Sequence, residues 1–257
     1  MQYKYEKENQ DYSDLASGRV FYSISGHPAF PVRLASEIFQ RCVADRETIY
    51  KNSTPCTLYD PCCGTAYHLS VLGYLHGRNI REIIGSDIDE KAVDLAKRNL
   101  SLLSVPGLDG RIAEITHMIA QYQKDSHKDA LKSAYLLRGQ VVTVAQEHSI
   151  VTRVFQANAM DSRTILENVK PRSVDIVFTD VPYGLHSQWE RSDFDELSNP
   201  MWAMLDSLVN ILSASSIVAI VADKKQKVLH KSYQRVEQFQ IGKRRVAILK
   251  PIENYTL

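Results

Sequence analysis

The sequence predicts an α/β fold, a mainly parallel sheet wound on both faces by helices. Three observations lead there. Short apolar runs end in an acid or an amide four times, at Asp60, Asp87, Asn158 and Asp180. Helical periodicities separate the runs, which is the alternation a parallel sheet requires. The chain then closes on two strand-like runs flanking Gly242-Lys243, the pattern of an antiparallel hairpin.

Taken in order, residues 1–17 are polar and charged, carry tyrosines without a period, and read as a loose arm. Phe30-Pro31 starts a helix through about Val43, with Leu34, Ile38 and Phe39 on one face. Leu58-Tyr59-Asp60 ends the first strand, and Glu82-Ile83-Ile84-Gly85-Ser86-Asp87 makes the second. Ala66–His76 and Asp89–Leu103 are the crossover helices around it, their apolar residues recurring at helical spacing. Between Pro106 and Glu147 there is no strand signal, only two helical patterns broken near Lys124-Asp125-Ser126-His127. A crossover needs one helix, so this stretch reads as an appendage. The third strand runs from Val151 to Gln156, the fourth through Val174-Asp175-Ile176-Val177-Phe178. A helix near Pro200–Leu212, a strand Ile217–Ala222 and the pair Val236–Ile241 and Arg245–Leu249 complete the chain. The expected organisation is one domain over 1–257 with 106–147 as a helical insertion.

Composition narrows the setting. A chain of 257 residues that is 44% hydrophobic can bury one full core. Its formal net charge of +1 excludes a polycation, so any nucleic-acid contact must come from a local patch. Cys42, Cys56, Cys62 and Cys63 lack paired C-x-x-C spacing and read as buried thiols, with no metal site expected. No run of about 20 apolar residues occurs. The expectation is a cytoplasmic protein that does not use a membrane.

Chemistry concentrates at the four strand ends, the edge on which such sheets bind ligands. Asp60-Pro61-Cys62-Cys63-Gly64 is a small-residue turn that lets a ligand approach backbone closely. Asp87, 23 residues after Gly64, is placed to hold ribose hydroxyls. Asn158 suits an adenine amino group, although a helix cap is an equal reading. The G-x-G-x-x-G cradle for pyrophosphate is missing, which favours S-adenosylmethionine over a dinucleotide. Thr179-Asp180-Val181-Pro182-Tyr183-Gly184 offers an acceptor for an N–H, a fixed turn and a ring on which a base can stack, a clamp for methylating a nucleobase. A surface β-turn would use many of the same residues. Lys243, Arg244 and Arg245, with Lys224, Lys225, Lys227, Lys231 and Arg235, are candidates for RNA phosphates; a solvated charged edge is the alternative. His27, His68, His76 and His186 read as packing or surface residues, with His186 near enough to line the pocket.

Over nearly its whole length the chain resembles the avilamycin-resistance ribosomal RNA methyltransferases, the AviRa family. The segments that carry the resemblance are Asp14–Ser23, Gly26–Arg41, Asp60-Pro61-Cys62-Cys63-Gly64, Ser86-Asp87 and Thr179-Asp180-x-Pro182-Tyr183-Gly184. The resemblance implies a Rossmann-like class I methyltransferase with a seven-stranded sheet and an antiparallel last strand. It implies S-adenosylmethionine as cofactor, a guanine of 23S ribosomal RNA as substrate at ring N1, and orthosomycin resistance as a consequence. The large ribosomal subunit or its RNA would be the partner, and the enzyme a monomer. Asp60, Cys62 and Gly64 would face the methionine end, Asp87 the ribose, and Ile88 and Asn158 the adenine. Asp180, Pro182 and Tyr183 would form the base pocket, with Asp180 also reaching the cofactor. Two departures stand out. Thr65-Ala66 replaces a hydroxyl residue and a second glycine, which requires a negative φ at Ala66, and Asn158 replaces an acid. A methyltransferase acting on guanine N2 or adenine N6, or on a protein or small molecule, would share much of this pattern.

Overall fold

Side-chain alternation along the central strands sets the layers of this computed structural model, which describes residues 3–24, 29–145, 148–181 and 199–252. The strands are β1 (Cys56–Asp60), β2 (Ile80–Asp87), β3 (Val151–Gln156), β4 (Val174–Asp180), β5 (Leu212–Asp223), β6 (Tyr233–Ile241) and β7 (Arg244–Pro251). Leu58, Ile83, Ile176, Phe178, Ile217 and Ala219 pack to one face of the sheet. Tyr59, Ile84, Val177, Val218 and Ile220 pack to the other. Each buried aliphatic side chain is worth about 1.5–3 kcal/mol, and a one-residue slip in register would drive each row into the core shaped for the other.

The first face is covered by α1 (Val32–Tyr50), α2 (Tyr67–His76) and α3 (Glu90–Ser101); the second by α6 (Ser162–Asn168) and α7 (Pro200–Leu208). Strand order is β3-β2-β1-β4-β5-β7-β6. Pairing is parallel from β3 to β5, while β7 runs antiparallel to both β5 and β6. The chain leaves β1 toward β2 and β3, then returns to lay β4 on the opposite side of β1. The gap beyond the carboxyl ends of β1 and β4 is therefore the switch point where such sheets take ligands.

The two helical patterns between the second and third strands are α4 (Val105–Tyr122) and α5 (Asp125–Ala145). Leu108, Ile115, Ala134 and Leu137 bury against Leu15, Val20 and Phe21 of the N-terminal segment and against Tyr67 and Val71 of α2. That segment overturns the expectation of a loose arm. The buried carboxylate of Glu37 accepts the backbone N–H groups of Lys4, Tyr5 and Glu6 at 2.7–2.9 Å. Buried Asn99 then accepts from Tyr22 N–H at 2.8 Å and donates to the carbonyls of Tyr22 and Thr65. Polar composition concealed a segment held by hydrogen bonds rather than by apolar periodicity. Helix α1 likewise runs beyond Val43 to Tyr50, because Arg46 extends its buried face by donating to the carbonyls of Ser215 and Thr54.

Candidate active site

The turn after β1 is built by close backbone approach. Cys63 N–H donates to Ser86 O at 2.9 Å, and a Cβ at Gly85 would come within 3.0 Å of Cys63 Sγ. Gly64 follows at φ +53°, where an added Cβ would meet nothing within 4 Å, so bare backbone faces open space. Ala66 corrects an expectation: its φ is +54° with ψ 29°, the left-handed region. Its N–H donates to Cys63 O at 2.7 Å and its methyl is fully buried. Left-handed backbone costs an alanine about 1–2 kcal/mol. Methyl burial returns about 0.8 kcal/mol of that, so a substantial part of the strain is offset without a glycine.

Asp60 differs from its expected placement. It is wholly buried, its Oδ1 accepting Cys62 N–H at 2.9 Å and its Oδ2 lying 3.1 Å from His68 Nε2. It supports the turn from beneath instead of presenting itself to a ligand. Cys62 is half-buried, and burial pushes its thiol well above the ordinary range, so it remains a neutral wall.

Farther along the edge, half-buried Asp87 accepts Gly64 N–H at 2.8 Å and Asp89 N–H at 3.0 Å. Burial raises its pKa, partly countered by those two donors. Each carboxylate oxygen keeps a lone pair for another donor. Beside it Ile88 is 64% exposed and presents an apolar face at the end of β2. Exposed Asn158, beyond β3, accepts Met160 N–H at 3.0 Å. A backbone ledge at Gly64, an acid, an exposed aliphatic face and an exposed amide thus follow one another along the ends of β1, β2 and β3. Those groups fit a nucleoside, whose sugar needs acceptors and whose base needs an apolar face.

Across the switch point stands Asp180, the last residue of β4. Its pKa is raised to about 6, chiefly by burial, with Arg244 and His68 pulling down and Asp60 pushing up. His68 is buried, its ring 5.0 Å from that of Phe178 and 5.7 Å from that of Phe30. Burial alone would lower its pKa, but the hydrogen bond and charge of Asp60 outweigh that and raise it. Sequence reading treated His68 as a packing residue. Its signal was position, four residues past Gly64, where the first turn of α2 faces back to the sheet edge. Val181, the residue after Asp180, is buried against the α7 side of the sheet.

The three basic candidates separate. Lys243 is exposed in the β6–β7 turn, whereas Arg245 is half-buried and donates to Gln226 O at 3.1 Å. Arg244 turns toward the switch point, its Nε 3.9 Å from Asp180 Oδ2 and its guanidinium 5.3 Å over the Phe30 ring. Pro182, Tyr183, Gly184 and His186, with Gly26, His27 and Pro28 of the N-terminal motif, lie outside the described residues. Among the described residues no group of His, Cys, Asp or Glu is arranged to hold a metal ion. No helix among them is long and apolar enough to cross a membrane.

Such an edge, with a nucleoside ledge on one side and a poised carboxylate on the other, can bring a methyl donor to a nitrogen acceptor. The family model for "rRNA methyltransferase AviRa" matches residues 1–244. A 23S rRNA (guanine(2535)-N(1))-methyltransferase from Streptomyces viridochromogenes is 36% identical over 248 residues, covering 96% of this chain and 95% of that protein. Two crystal structures of the rRNA methyltransferase aviRa from the same organism superpose with TM-scores of 0.84 and 0.81. They are 35% and 36% identical to this chain, covering 97% and 96% of it and 96% of each crystallised chain. By sequence and by fold, then, the chain belongs to the AviRa family of rRNA methyltransferases.

Proposed function

We propose that the protein transfers a methyl group from S-adenosylmethionine to N1 of a guanine in 23S ribosomal RNA, with orthosomycin resistance as one consequence. The observation that carries the reading is Asp180: a carboxylate at the carboxyl end of β4, its pKa pushed up to about 6, facing the switch point. Guanine N1 bears a proton and is a poor nucleophile until that proton is accepted. A carboxylate ionised just below neutral pH suits the task.

Gly64, Asp87, Ile88 and Asn158 would hold the cofactor, with Asp60 and Cys62 shaping the turn beneath it. When bound, S-adenosylmethionine supplies an electrophilic methyl on a sulfonium that departs as a neutral thioether. Asp180 receives the N1 proton as the N1 lone pair forms the new bond to carbon. Tyr183 is assigned the stacking face for a base taken out of its stack, and Pro182 the turn that presents it. Exposed Lys243 is assigned to RNA phosphates. One domain over 1–257, with 106–147 inserted, acts as a monomer in the cytoplasm. Transfer to guanine N2 is the second reading, favoured by one fact, that Asp180 can accept from either nitrogen.

Nucleoside mass spectrometry of 23S RNA treated with purified protein and S-adenosylmethionine tests the reading. It predicts 1-methylguanosine at one site. N2-methylguanosine, N6-methyladenosine or unmodified RNA would contradict it.

A further inference from the structure

The pairing of Asp180 with Arg244 is incomplete in a specific way. Their atoms lie 3.9 Å apart, close enough to attract and too far to hydrogen-bond. Asp180 Oδ1 and Arg244 Nε are both buried with no hydrogen-bond partner among the described residues. Leaving a buried donor or acceptor unmet is costly, whereas the buried Arg41 engages Glu37 and Glu237 through all three of its guanidinium nitrogens. Arg244 is also held in place by the Phe30 ring beneath it and by its position as first residue of β7. An acceptor and a donor therefore stand side by side at the switch point, each with bonding capacity to spare.

From this geometry we infer that Arg244 is a specificity and catalytic residue, donating to guanine O6 while Asp180 accepts from N1–H. The inference rests on the guanine N1 reading above. Guanine presents an acceptor beside a donor on this edge, and the pair Arg244 and Asp180 presents the complement. Adenine presents the reverse, an amino donor at position 6 beside a lone pair at N1. It would set N–H against N–H and lone pair against carboxylate. Sites built on such contacts reject mismatched analogues far more strongly than apolar pockets do. The same contact assists the chemistry. As the proton passes from N1 to Asp180 while N1 forms its bond to the methyl carbon, negative charge develops on O6, and the fixed guanidinium stabilises it.

The test is a cycle between the protein and the base. Wild type, Arg244→Lys and Arg244→Ala are each assayed on 23S RNA carrying either guanine or 6-thioguanine, a weak acceptor at position 6, at the methylated site. Loss of one such donor is expected to lower kcat on guanine by on the order of 10²–10³-fold in Arg244→Ala, with part of it kept in Arg244→Lys. Discrimination between guanine and 6-thioguanine should collapse in Arg244→Ala, because the two changes remove one contact. S-adenosylmethionine affinity by calorimetry reports whether the variant is folded. An equal loss on both bases, or a rise in KM with a shallower salt dependence and unchanged kcat, would overturn the inference and make Arg244 a phosphate contact. Lys243→Ala supplies that second pattern for comparison. If wild type does not form 1-methylguanosine, the reading of the reaction fails; if it does and Arg244→Ala keeps its discrimination, only the role of Arg244 fails.

Discussion

Asp180 holds its charge against its surroundings, and the consequence is measurable in two ways. Because its pKa is raised to about 6, the ionised form is disfavoured in the folded state relative to the unfolded one. The contribution to stability is therefore favourable below the ordinary carboxylate pKa and is lost as pH rises through about 6. Asp180→Asn should stabilise the protein at pH 8 by on the order of 1–3 kcal/mol, with the gain vanishing near pH 3, as read by denaturant titration at both pH values. The same substitution should abolish methyl transfer. In wild type, kcat/KM should rise about tenfold per pH unit below about 6 and level off above it. A flat profile from pH 5 to 8 would remove Asp180 as the proton acceptor. Asp87 has a different role, since its two oxygens tie the Gly64 and Asp89 backbones together. Asp87→Ala should weaken S-adenosylmethionine binding by about 1.5–3 kcal/mol in calorimetry. Unchanged affinity would show that the acid serves only the turn.

At the level of elements, the N-terminal segment depends on one carboxylate of α1. Burial alone would raise the Glu37 pKa, but three backbone donors and Arg41 outweigh it and lower it. Glu37 thus contributes stability that is present above the ordinary glutamate pKa and lost as pH falls through its lower folded value. Removing one partner of a buried ion pair typically costs about 3–5 kcal/mol, so Glu37→Ala should show a loss of that size in chemical denaturation at pH 7. A loss below about 1 kcal/mol would mean that the segment is anchored elsewhere. Nothing near residues 4–6 in the sequence announces this arrangement, because Glu37 lies 31–33 residues away and Asn99 holds Tyr22 from 77 residues away. The central strands and their crossover helices were legible for the opposite reason. Their signals are local: continuous apolar runs in β4 and β5, and helical spacing in α2 and α3. Ala66 shows the limit of a local rule, since a backbone preference of about 1–2 kcal/mol yields to burial and hydrogen bonding.

Across the whole molecule, the edge of the sheet was legible and the pairings over it were not. Asp60, Asp87, Asn158 and Asp180 were found as strand ends, and strand order gathers those ends on one side. That Asp60 turns inward to His68, and that Arg244 leaves its charge run to face Asp180, depends on packing between distant elements. A run of lysines and arginines at a hairpin reads the same whether its side chains meet water or a carboxylate. The central claim is nonetheless a single chemical statement, that a guanine acquires its methyl group at N1 through Asp180. Methylation at N1 replaces the proton at the centre of the Watson–Crick edge, whereas methylation at N2 leaves that edge usable. Primer extension across 23S RNA treated with wild type or with Asp180→Asn, alongside nucleoside mass spectrometry, therefore tests the account most directly. The predicted result is a strong stop one nucleotide before a single guanine with wild type and none with Asp180→Asn; read-through of a confirmed monomethylated guanine, or an equal stop with the variant, would contradict it.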